Sequence, residues 1–135
     1  MPLPAIPDLL IPPPAKDFDL RIAFLAALNV LIGLATLAFP FLHGYGFSDG
    51  QTTTHVTLGA LLTVLALFRL LLAYQYAWVD FLCAFLGLLI LTLPWTTPNA
   101  WNPQYLTQHV AGGGAAVLFS LIGAVVTLAA PRKAL

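Results

Sequence analysis

The chain has 135 residues, of which 60% are hydrophobic and only 7% charged, and its formal net charge is zero. A soluble domain keeps roughly a quarter of its residues charged, so this chain must present an apolar surface to something other than water, and lipid is the candidate. Five basic and five acidic residues cancel, which argues against a nucleic-acid partner or a steered charged substrate, and the single cysteine, Cys83, excludes an internal disulfide or CxxC site.

The opening stretch MPLPAIPDLLIPPPAK carries six prolines and no basic start, so it does not read as a secretory signal. Prolines at that density favour an extended conformation without internal hydrogen bonds. Ordering such a tail requires contacts that offset its conformational entropy. The expectation is that residues 1–20 lie against another membrane-protein subunit.

Four apolar stretches follow, approximately Leu20–Phe39, Thr54–Ala73, Ala77–Leu93 and Thr107–Ala130. Each is near the roughly 20 helical residues that a bilayer crossing takes. In lipid a single segment can satisfy its backbone only as a helix. The fold class is therefore an all-α, four-helix transmembrane bundle.

Lys16, Arg21, Arg69, Arg132 and Lys133 all fall on one side of such a bundle, whereas the connections 40–53 and 94–106 hold no Lys or Arg. The positive-inside rule places both termini on the cytoplasmic side of a bacterial-type inner membrane. Arg69 has two readings: it snorkels to the headgroups, or it forms an ion pair with Asp80 across a short turn. No acidic residue lies near the middle of a span, which argues against an ion- or proton-coupled transporter.

The two halves repeat at a fixed offset of 54 residues. It relates Pro40 to Pro94, His55 to His109, Gly33 to Gly87, Gly59 to Gly113, Thr53 to Thr107 and Val56 to Val110 without a gap. Rare residue types agreeing on one spacing indicate an internal duplication of a two-helix unit. A unit with an even number of crossings re-enters the membrane in the same direction, so the halves are two tandem parallel-repeat hairpins. The chain divides into a Pro-rich segment 1–19, repeats 20–75 and 76–130, and a basic tail 131–135. Each unit runs helix, Pro-aromatic exit, outer loop, Thr-x-His entry, helix. Pro40 and Pro94 are expected to stop their helices, and Tyr45, Phe47, Trp101 and Tyr105 to form an aromatic belt in the outer loops.

Phe39-Pro40-Phe41 and Leu93-Pro94-Trp95, in LAFPF at 37–41 and LTLPW at 91–95, resemble the Ser-Pro-Trp motif of the SPW-repeat family of small membrane proteins. The resemblance covers about residues 22–125. Phe39 and Leu93 stand where the motif has Ser, and Phe41 stands where it has Trp. The resemblance implies a membrane fold built from two-helix units. It implies no reaction and no catalytic residues.

His55 and His109 are expected in the first turn of their helices, at the outer interface, where the preceding threonines can cap exposed N–H groups. One reading is a hydrogen-bonded interfacial histidine in each copy, which needs no cofactor. The other is a paired ligand, with two neutral imidazoles binding haem b or a (bacterio)chlorophyll-type pigment. On that reading Gly59 and Gly113, with Gly112 and Gly114, make room for the macrocycle; otherwise they serve close helix packing. His43 reads as a solvated loop residue. Asn29, with Cys83 at the equivalent position, reads as an interhelical hydrogen-bonding residue. No phosphate loop, HExxH or GxSxG is present, so no enzymatic activity is expected. The expected role is an accessory subunit of a larger membrane complex, respiratory or photosynthetic. The alternatives are the haem or pigment protein and a homo-oligomer with a transport or sensing role.

Overall fold

The computed structural model describes residues 19–42, 49–71, 77–96 and 102–129. The Pro-rich segment, His43, Tyr45, Phe47, Trp101 and the basic tail lie outside the described residues. Among the described residues there are four helices: α1 (Leu20–Leu42), α2 (Asp49–Leu71), α3 (Ala77–Thr96) and α4 (Pro103–Ala129). All four are long and apolar enough to cross a membrane, and the protein is a multi-pass, all-α membrane bundle.

Local chemistry accounts for where the helices begin. Asp19 caps α1, its Oδ1 accepting the Arg21 backbone N–H at 2.9 Å. Asn102 caps α4 by accepting the Gln104 and Tyr105 N–H groups at 3.0 and 3.3 Å. Pro103 follows at the first helical position, where a missing N–H costs nothing. α4 therefore starts four residues before the expected Thr107. Tyr105 lies inside the helix and is fully buried, not in an outer-loop belt. α2 starts at Asp49, whose carboxylate suits the positive end of the helix dipole.

Proline does not end its helix in either copy. α1 continues past Pro40 to Leu42 and α3 past Pro94 to Thr96. In the last turn little of the hydrogen-bond ladder remains to be broken. Hydroxyls also supply donors to backbone carbonyls there: Thr92 Oγ1 donates to Leu89 O and Thr96 Oγ1 to Leu93 O.

Each helix packs chiefly on its hairpin partner, α1 on α2 and α3 on α4, and the hairpins meet along α1–α4 and α2–α3. The four helices thus form a ring in chain order. Glycines hold each hairpin closed. A Cβ added to Gly59 would lie 2.5 Å from Leu37 N and 2.7 Å from Gly33 O. A Cβ on Gly113 would lie 2.5 Å from Leu91 N and 2.7 Å from Gly87 O. These contacts are related by the 54-residue offset, so the duplication extends to backbone packing. Between the hairpins, Leu62, Val79, Cys83, Leu86, Ile90 and Ala116 form the apolar centre.

The contact at Gly113 is against backbone, which cannot rotate away, so Gly113→Ala must separate α3 from α4. It should destabilise the protein by about 1–3 kcal/mol in denaturant titrations in detergent. Gly114→Ala, where the nearest atom to an added Cβ is Leu91 Cδ1 at 3.7 Å, should be neutral or slightly stabilising, since alanine favours the helix.

Candidate functional site

Polar side chains gather inside the bundle at two ends and one point between. His55 and His109 are each the seventh residue of their helices. Both are buried, with 0% and 3% of their surface exposed. They therefore lie beyond the first turn and inside the bundle, because both helices begin earlier than the apolar stretches suggest. Thr54, just before His55, does not cap: its Oγ1 donates to the Gly50 carbonyl.

The two imidazoles meet across the bundle, with Nε2 to Nε2 at 2.9 Å and the rings nearly perpendicular at 84°. Each Nδ1 is held by the carbonyl one turn earlier, His55 by Gln51 O at 2.8 Å and His109 by Tyr105 O at 2.9 Å. A carbonyl oxygen only accepts, so both Nδ1 atoms carry a proton and both Nε2 atoms present lone pairs. The Tyr105 hydroxyl donates to His55 Nε2 at 3.2 Å, and the Tyr105 ring stacks on His109 at 4.2 Å between centroids. Phe39 closes the cluster, stacked on His55 at 6.1 Å and edge-on to His109 at 4.8 Å. Tyr105 is the member that motif reading missed. Its signal is the spacing Tyr-x-x-x-His, which puts both side chains on one face of a helix. The same spacing in the first copy places Gln51 one turn before His55.

A macrocycle between these histidines does not fit this arrangement. Two imidazoles on opposite faces of a haem stand about 4 Å apart, twice a metal–nitrogen bond of about 2 Å, whereas these nitrogens are 2.9 Å apart. The room expected at Gly59 and Gly113 is taken by the backbones of α1 and α3. Beside His109 there is instead a cleft of about 380 Å³ between α1 and α4, lined by Ile32, Thr36, Phe39, Gln108, His109 and Gly112 among others.

At the opposite end Arg69 does not snorkel. It is 1% exposed and donates from Nη2 and Nε to Asp80 Oδ2 at 2.8 and 3.1 Å. Nη2 also donates to the Thr127 hydroxyl, whose own hydrogen bond goes to Gly123 O at 2.8 Å. The pair joins α2, α3 and α4. Here the duplication has diverged: the residues offset by 54 from Arg69 and Asp80 are Gly123 and Ala26. A Cβ on Gly123 would lie 3.1 Å from Asp80 Oδ2, so the glycine leaves the space that the carboxylate occupies. Between the two ends, Asn29 Nδ2 donates to Ser120 Oγ at 2.9 Å and links α1 to α4. Cys83, its counterpart in the second copy, is buried in the apolar centre.

Removing one member of the desolvated ion pair strands the other. Arg69→Leu should cost about 3–5 kcal/mol of unfolding free energy, and the double variant Arg69→Leu/Asp80→Leu should recover most of that loss. Equilibrium unfolding of the three proteins in one detergent checks both statements.

No curated protein and no solved structure matches the chain. The family model of the SPW repeat domain matches residues 23–129, a span that holds all but the first three residues of the two hairpins and every residue of the two polar clusters. With two tandem copies of the helix–Pro–helix unit packed in one bundle, the chain belongs to the SPW repeat family.

Proposed function

We propose that the protein is a non-catalytic accessory subunit that docks on a larger assembly in a bacterial-type inner membrane, with both chain termini on the cytoplasmic side. The observation that carries this reading is a divergence between the outward faces of two duplicated helices. α3 exposes Trp78, Phe81 and Phe85 in successive turns, each at least half exposed. The 54-residue offset places Phe24, Ala27 and Leu31 at the same positions of α1. Lipid tails make the same demand on both faces, whereas a protein partner on one face favours large, rigid aromatic side chains there. The occupant of the α3 face is therefore a helix of another membrane protein.

The buried polar groups support a structural role. The ion pair, the Asn29–Ser120 bond and the histidine cluster each tie together helices of different hairpins. Orientation rests on the distribution of lysine and arginine along the chain.

A photo-crosslinking amino acid placed at Trp78 or Phe85, and separately at Leu31, tests the docking face in native membranes. The expected outcome is a discrete adduct with one other polypeptide from the α3 positions and lipid adducts alone from Leu31. Adducts only with a second copy of this chain would replace the reading with a homo-oligomer. Lipid adducts alone from every position would remove the partner altogether.

A further inference from the structure

We infer that His55 Nε2, His109 Nε2 and Tyr105 Oη form a binding site for one divalent transition-metal ion of the zinc type. This inference is independent of the docking face on α3. It begins from hydrogen-bond accounting. Both Nδ1 atoms donate to backbone carbonyls, so both Nε2 atoms are acceptors, and they stand 2.9 Å apart. The Tyr105 hydroxyl donates to His55 Nε2, but two acceptor nitrogens at 2.9 Å still repel each other. A metal ion bound by both, or a proton shared between them, removes that repulsion.

The wider geometry favours the metal. Metal-bound histidines characteristically donate their other ring N–H to a carbonyl or carboxylate, which fixes tautomer and ring orientation. Here both rings do so through the carbonyl one turn earlier. A third donor atom is in place, because Tyr105 Oη lies 3.2 Å from His55 Nε2. Around a tetrahedral ion with bonds of about 2.0–2.1 Å, ligand atoms sit about 3.3 Å from one another. The Tyr105–His55 spacing already matches, and the histidine pair needs to open by about 0.4 Å.

Ligand chemistry and surroundings agree with this assignment. Two imidazoles and a phenol oxygen suit zinc, copper or nickel and not calcium or magnesium, which prefer all-oxygen shells. As the metal–oxygen bond forms, the phenol proton passes to solvent, and two neutral imidazoles with one phenolate leave a single positive charge. The starts of α2 and α4 and the ends of α1 and α3 meet here, so their opposed dipoles largely offset. Phe39 packs on both imidazoles. The cleft between α1 and α4 reaches His109 and Gln108 and provides an entry path for the ion. Seated there, the metal clamps the first hairpin to the second.

The full-length protein, purified in mild detergent and stripped with chelator, is titrated with Zn²⁺ and with Co²⁺ as a coloured probe. One equivalent per chain is expected, with the visible absorption of four-coordinate cobalt and release of one proton. His55→Gln and His109→Gln should each weaken binding on the order of 100-fold or more. Tyr105→Phe keeps the ring packing and should weaken it about tenfold while abolishing proton release. Should a histidine variant fail to fold, nitrogen-15 spectra of the wild-type imidazoles decide. Both Nε2 resonances moving on addition of zinc, with both Nδ1–H groups retained, support the site. Three results overturn it: no stoichiometric metal, binding indifferent to all three substitutions, or a proton shared between the Nε2 atoms that persists in excess zinc.

Discussion

The rest of the structure depends on the contact of one helix backbone with another at paired glycines. In lipid the hydrophobic effect gives helices no reason to associate, and close packing of small residues supplies much of the attraction instead. Gly33 with Gly59, and Gly87 with Gly113, bring each hairpin to that distance. Two tight hairpins then pack as units. Their 54-residue equivalence places the starts of α2 and α4 at the same end, which is how two histidines far apart in sequence come into contact.

A buried polar side chain in a membrane protein must find its partner inside the bundle, and this one uses the requirement to choose how its halves dock. Each of the three polar links crosses from one hairpin to the other: His55 to His109, Asn29 to Ser120 and Arg69 to Asp80. Apolar contacts alone tolerate sliding of one hairpin along the other. Directional bonds at both ends and in the middle penalise any other register, because a slipped register leaves a charge or an amide without its partner.

Duplication and divergence have divided the labour between the two ends. The histidine end keeps nearly symmetric chemistry, with each Nδ1 on a carbonyl one turn back, and breaks symmetry where Tyr105 stands opposite Gln51 and Phe39 opposite Leu93. The arginine end is asymmetric. Two copies of an Arg–Asp pair would crowd four charges into one desolvated layer. With Gly123 and Ala26 at the equivalent positions there is one guanidinium and one carboxylate, with Thr127 as a further acceptor for the guanidinium.

The sequence by itself determined the four helices, the lipid-facing composition and the family. These follow from properties summed along the chain: segment length, hydropathy and the agreement of prolines, glycines and histidines on one offset. It also held the cap at Asn102-Pro103 and the Tyr105/His109 spacing, although apolar periodicity alone starts α4 too late. Only the tertiary structure decided how the polar residues pair. Snorkelling and ion pairing are both open to Arg69 in the sequence, and the choice rests on whether Asp80 and the space at Gly123 lie across from it. Likewise, glycines near histidines are compatible with a macrocycle or with a neighbouring helix, and the approach of Leu37 and Leu91 filled that space. The reason is physical: apolar burial adds up residue by residue, whereas a hydrogen bond or ion pair depends on distances set by helices remote in sequence.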